Sequence, residues 1–73
     1  MDKGIYKLSA TMDDAVEKAA KFLPSSFMIS IELEKGVYNV LLRTPNGSEI
    51  DVDGGDGMRS DIDQAIFIAN GIE

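Results

Sequence analysis

Glu49, Asp51 and Asp53 recur at every second position, and Asp56, Asp61 and Asp63 follow close behind. Carboxylates are the main candidates for chemistry here, because the chain has no His and no Cys. Side chains two apart on a strand stand ~6.6–6.8 Å from one another. That is close to the phosphate spacing along one nucleic-acid strand, about 6–7 Å. A row of this kind can imitate a short phosphate track and occupy the basic groove of another protein. The plainer reading is the wet face of an edge strand, where charges oppose edge-to-edge pairing.

The same acids admit a calcium reading. Asp51-Val52-Asp53-Gly54-Gly55-Asp56-Gly57 begins like an EF-hand loop, which needs Asp at positions one and three, Gly at six and a bidentate acid at twelve. Counted from Asp51, Gly55 falls at five, Asp56 at six and Ile62 at twelve, so the required Gly and acid are each displaced by one residue. The incoming segment also reads as a strand rather than a helix. A looser oxygen cage from Asp51, Asp53 and Asp56 is what remains of the metal reading. Phosphate cradling by the glycines is excluded, because the loop lacks the P-loop Lys and carries acids that repel an anion.

Charge is distributed unevenly. Through Thr44 six acids balance six bases, whereas from Pro45 onward seven acids face only Arg59, which accounts for the whole net charge of −6. Such a field attracts cations or basic protein surfaces and repels phosphate backbones. A chain of 73 residues makes one domain, residues 1–73, with a modest core. Its 44% hydrophobic content is ordinary for a globular fold. Without cysteine there is no disulfide framework, and no apolar run reaches signal-peptide or membrane-span length. These features predict a cytoplasmic chain with no membrane association.

The elements that position the acids follow from periodicity. A short apolar run at Ile5–Ser9 allows a lead-in strand. Thr11 caps a helix with Asp14 at the box position, and Met12, Ala15, Val16, Ala19, Ala20 and Leu23 form its expected buried stripe. Pro24 and Ser25-Ser26 end it. Phe27, Ile29, Ile31 and Leu33 alternate with Met28, Ser30, Glu32 and Glu34, the clearest strand signal in the chain. Lys35-Gly36 reverses it into Val37–Arg43, where Tyr38, Val40 and Leu42 point inward. Pro45-Asn46-Gly47 turns the chain into a third strand at Ser48–Asp53. After the glycine loop, Ser60 is expected to cap a second helix with Asp63 at the box position, a stripe of Ile62, Ala65, Ile66 and Ala69, and a stop at Asn70-Gly71. The fold class is α+β, ordered (β)-α-β-β-β-α, a three-stranded antiparallel meander with two helices packed on one face.

That order is similar to the double-stranded RNA-binding domain, a family with a basic cluster at the start of its second helix. Here the matching stretch reads Gly57-Met58-Arg59-Ser60-Asp61-Ile62-Asp63, with acids where the family needs lysines. The similarity covers element order alone, and no function is carried across. Enzymatic readings fare no better, because Ser25 and Ser26 have no His or Lys motif to activate them. The expectation is a non-enzymatic protein-binding module without a cofactor: a small acidic inhibitor or modulator acting as a nucleic-acid mimic, of the sort phages and mobile elements encode. Its predicted site is Glu49, Asp51, Asp53, Asp56, Asp61 and Asp63, and its partner a protein with a basic surface. The alternatives are the calcium module and a homo-oligomeric structural subunit, with a homodimer as the simplest case.

Overall fold

A computed structural model describes residues 8–55 and 57–72 of the chain. Its elements are α1 (Met12–Phe22), β1 (Met28–Glu34), β2 (Val37–Arg43), β3 (Glu49–Val52) and α2 (Met58–Ile72). The strands form one antiparallel meander in the order β1-β2-β3, as expected. Residues 5–7 of the expected lead-in strand lie outside the described residues, and Leu8 and Ser9 belong to no strand.

Register explains why the sheet has two unlike faces. Ile29 pairs with Leu42 and Leu42 with Ile50, Ile31 with Val40 and Val40 with Val52, and Leu33 with Tyr38. All of these share one parity, so the apolar rows line up across the strands on one face. Both helices lie on that face. Ala65 and Ala69, one helical turn apart on α2, pack against Val40, Leu42 and Val52. Their small side chains let the helix approach the sheet closely. One step around α2, Ile62 and Ile66 pack against Ala15 of α1, with Ala19 and Phe22 beside them. The second helix therefore contacts both the sheet and the first helix, and Ile29 and Met58 touch both clusters.

Three local expectations are corrected. The buried stripe of α1 runs through Ala15, Ala19 and Phe22, with Lys18 alongside, while Val16 is 54% exposed and Met12 is exposed too. Met12 with Val16, and Ala15 with Ala19 and Phe22, both keep helical spacing, and docking against α2 selects the second set. The second helix begins at Met58, so Ser60 lies inside the first turn instead of capping it, and its hydroxyl donates to the Gly54 carbonyl at 3.0 Å. Asn70-Gly71 does not stop the helix, which continues to Ile72. Asn70 instead donates its amide to the carbonyls of Ile66 (2.9 Å) and Phe22 (3.1 Å), satisfying a free carbonyl at the end of α1.

Thr11 caps α1 as expected, its hydroxyl accepting from the Asp14 N–H at 3.1 Å. Between α1 and β1 the Phe27 N–H donates to the Pro24 carbonyl at 3.2 Å, closing a turn whose third residue, Ser26, has φ +72°. That backbone suits glycine and strains any side chain. Ser26→Gly is expected to raise the unfolding free energy by about 0.5–1 kcal/mol, the relief of strain exceeding the added entropy of the unfolded chain. Urea melts compare the two chains directly, and a less stable variant refutes the turn assignment.

Candidate functional site: an acidic open sheet face

The face of the sheet away from the helices carries every charged residue of the three strands. Glu32 and Glu34 on β1, Arg43 on β2, and Glu49 and Asp51 on β3 share one parity, as do Met28, Ser30, Val37, Asn39 and Leu41. Arg43 is the only base among them. Leu41 is half-buried at the middle of this face with Asp51 beside it, and Met28 is exposed at the start of β1, across Arg43 from Glu49, while Glu32 and Glu34 lie farther along β1. Apolar and charged side chains mixed on one open face are what protein-binding patches present.

The six carboxylates singled out in the sequence do not stay together. Glu49 is exposed and bonds Arg43 at 2.9 Å, an ion pair half open to water and so of small energetic weight. Asp51 is exposed on the open face beside Leu41. Asp53 is exposed just past β3, and its carboxylate accepts from the Gly55 N–H at 3.0 Å. Asp56 lies outside the described residues. Asp61 and Asp63 are buried, at 6% and 7% exposure.

Those two buried acids serve the fold. Asp61 accepts from the Gly54 N–H at 2.6 Å, which fastens the glycine loop to the first turn of α2. Asp63 accepts from the Ser9 N–H (2.8 Å), the Ser9 hydroxyl (2.7 Å) and the Lys18 ammonium (3.1 Å). Arg59, one turn earlier, donates to the Ser9 carbonyl, so both sides of that residue are held by α2. Burial on its own pushes the Asp63 carboxyl up, but the Ser9 and Lys18 hydrogen bonds and the Lys18 charge outweigh it, holding the pKa below its ordinary 3.8. A charge this well compensated is structural, and it is unavailable to a partner.

A cleft beside the end of β3 is bordered by Tyr38, Asn39, Asp51, Asp53 and Asp61. It forms because β3 stops at Val52, opposite Val40, and leaves the start of β2 without a neighbour on that side. Among the described residues no three acids are grouped as a metal site requires. The residues that sequence reading passed over are Glu32 and Glu34. Their counts cancel against lysines in the chain, whereas strand alternation places them on the same sheet face as Glu49 and Asp51.

Comparison of the chain with family models, curated proteins and solved structures finds no match. Among the described residues no helix is long and apolar enough to cross a membrane.

Proposed function

We propose that this domain is a non-enzymatic binding module whose open sheet face engages a basic surface on another protein. The observation that carries this reading is that Glu32, Glu34, Glu49 and Asp51 share one sheet face with Met28 and Leu41, a face no helix covers. Four carboxylates against one guanidinium set the sign of the partner. Met28 and Leu41 on the same face favour a protein over a bare polycation. The cleft at Tyr38, Asp51 and Asp53 suits a single Lys or Arg side chain, which can lie against the ring while its charge meets the acids. Partners that normally hold nucleic acid fit this charge best, and the domain then acts as their inhibitor or modulator by occupying that surface. A cysteine-free chain suits a reducing, cytoplasmic setting.

Charge reversal tests the reading. In capture from native cell extract at low salt, Glu32→Lys with Asp51→Lys weakens retention of the bound protein about tenfold or more, and raising salt mimics the effect. Asp13→Lys with Glu17→Lys changes the net charge equally, on the exposed side of α1, and leaves capture nearly intact. Equal losses from the two pairs would show a diffuse charge effect and sink the proposal.

A further inference from the structure

We propose that a second copy of this chain pairs with the outer edge of β1, joining two meanders into one six-stranded antiparallel sheet. This surface is distinct from the acidic face, and the inference does not depend on the proposed function.

Hydrogen bonding fixes which backbone groups the edge offers. The Thr44 N–H donates to the Ser48 carbonyl at 2.9 Å, so the even-numbered residues of β2 turn their polar groups toward β3. Odd-numbered residues of β2 then face β1, where their partners are Met28, Ser30, Glu32 and Glu34. The N–H and C=O groups of Ile29, Ile31 and Leu33 therefore point outward from the sheet. Nothing among the described residues pairs with this edge.

These three residues also carry the apolar row. The helices cover only its start: Ile29 packs against both core clusters, whereas Ile31 is 41% and Leu33 72% exposed. A two-fold axis through Ile31 matches the edge to itself. Ile31 then meets Ile31 of the second copy, and Ile29 meets its Leu33, so the outward hydrogen-bonding groups and the apolar side chains are satisfied by one operation. Three hydrogen-bonded residue pairs give about six interchain backbone bonds. Each exposed Leu33 lands beside an Ile29 already seated against the helices, which lengthens the core.

Charge selects the same register. Pairing about Ile31 sets Glu32 against Ser30 of the second copy, and Glu34 against Met28, whose neighbour in the sheet is Arg43. No acid faces an acid. A slip that centres the axis on Glu32 would oppose two carboxylates directly. The remaining opposition is the net charge of −6 on each copy, which salt screens.

The test uses the intact chain. Sedimentation equilibrium at about 0.5 M salt is expected to show a monomer–dimer equilibrium that weakens several-fold at about 0.05 M, the reverse of the salt dependence expected for a basic partner. Ile31→Lys, which brings two ammonium groups together at the axis, weakens the dimer at least tenfold. The chain has no native cysteine, so a single introduced one can only cross-link two copies. Facing residues of a hydrogen-bonded pair are ~5.5 Å apart at Cα, inside the disulfide range. Ile31→Cys therefore oxidises to a dimer, while Leu33→Cys, whose counterpart faces Ile29 instead, does not. A monomer at every concentration and salt overturns the proposal. So does a dimer indifferent to Ile31→Lys, or one that cross-links through Glu32→Cys in preference to Ile31→Cys.

Discussion

Replacing Asp63 with Ala lowers the unfolding free energy at pH 7 by about 3 kcal/mol. The carboxylate holds two donors from Ser9 and the Lys18 ammonium, and the two charged side chains are 8% and 10% exposed. Removing one member of a buried pair leaves the other charge desolvated and short of that partner, at a cost of up to about 3–5 kcal/mol when burial is complete. The lower end applies here, because Lys18 can extend toward water on its flexible stem. Lys18→Met costs less, since Asp63 keeps both Ser9 donors, and a double-mutant cycle reads the pair itself. The pH dependence has a definite sign. A carboxyl whose folded pKa lies below its ordinary 3.8 contributes its full stabilisation above that value and loses it as pH falls through the folded value. The gap between wild type and Asp63→Ala in urea melts thus narrows below about pH 4. A constant gap, or a loss below about 0.5 kcal/mol at pH 7, removes Asp63 from this role.

Gly54→Ala is expected to destabilise the domain by about 2–3 kcal/mol, through overpacking against main chain that has no room to retreat. A Cβ at this position would sit 2.5 Å from the carbonyl carbon of Ser60 and nearer still to its oxygen. Making space means pulling the loop off α2, which costs the Gly54 N–H bond to Asp61 and the Ser60 bond to the Gly54 carbonyl. Gly55→Ala separates this effect from backbone preference. Gly55 has φ +92° but open space around it, so its variant pays only for an unfavourable conformation, about 1 kcal/mol. The ordering of the two melts is the measurement. If Gly55→Ala is the more damaging, close approach does not explain Gly54.

Strand parity was the part of the fold most open to reading. Alternation in Met28–Glu34 and Val37–Arg43 fixes both faces of the sheet, and the turn signals at Lys35-Gly36 and Pro45-Asn46-Gly47 fall where the strands reverse. Thr11, by residue type and spacing, marks the start of α1. Positive φ accounts for Gly55 and Gly57 but not for Gly54, whose constraint is a neighbour six residues ahead.

The acids were harder, because charge is normally a surface property and a run of it suggests one surface. Asp63 breaks that rule through Ser9 and Lys18, which lie 54 and 45 positions away, a separation no local pattern encodes. The available hint was two aspartates flanking Ile62 in the first turns of an apolar helix, where a wholly solvated acid contributes little. Glu32 and Glu34 were passed over for the opposite reason. Summing charge along the chain cancels them against lysines off the strands, while a sheet groups side chains by parity across strands. A tally by strand face recovers them.

Ser9 is held between Asp63 and Arg59, so the chain enters the fold beside α2, on the side opposite the open sheet. A fluorophore or affinity handle fixed close to Ser9 therefore sits behind the contact area proposed above. Surface immobilisation at that point leaves both the β1 border and the carboxylate-rich side accessible to solution, which makes it the natural geometry for tethered assays of this molecule.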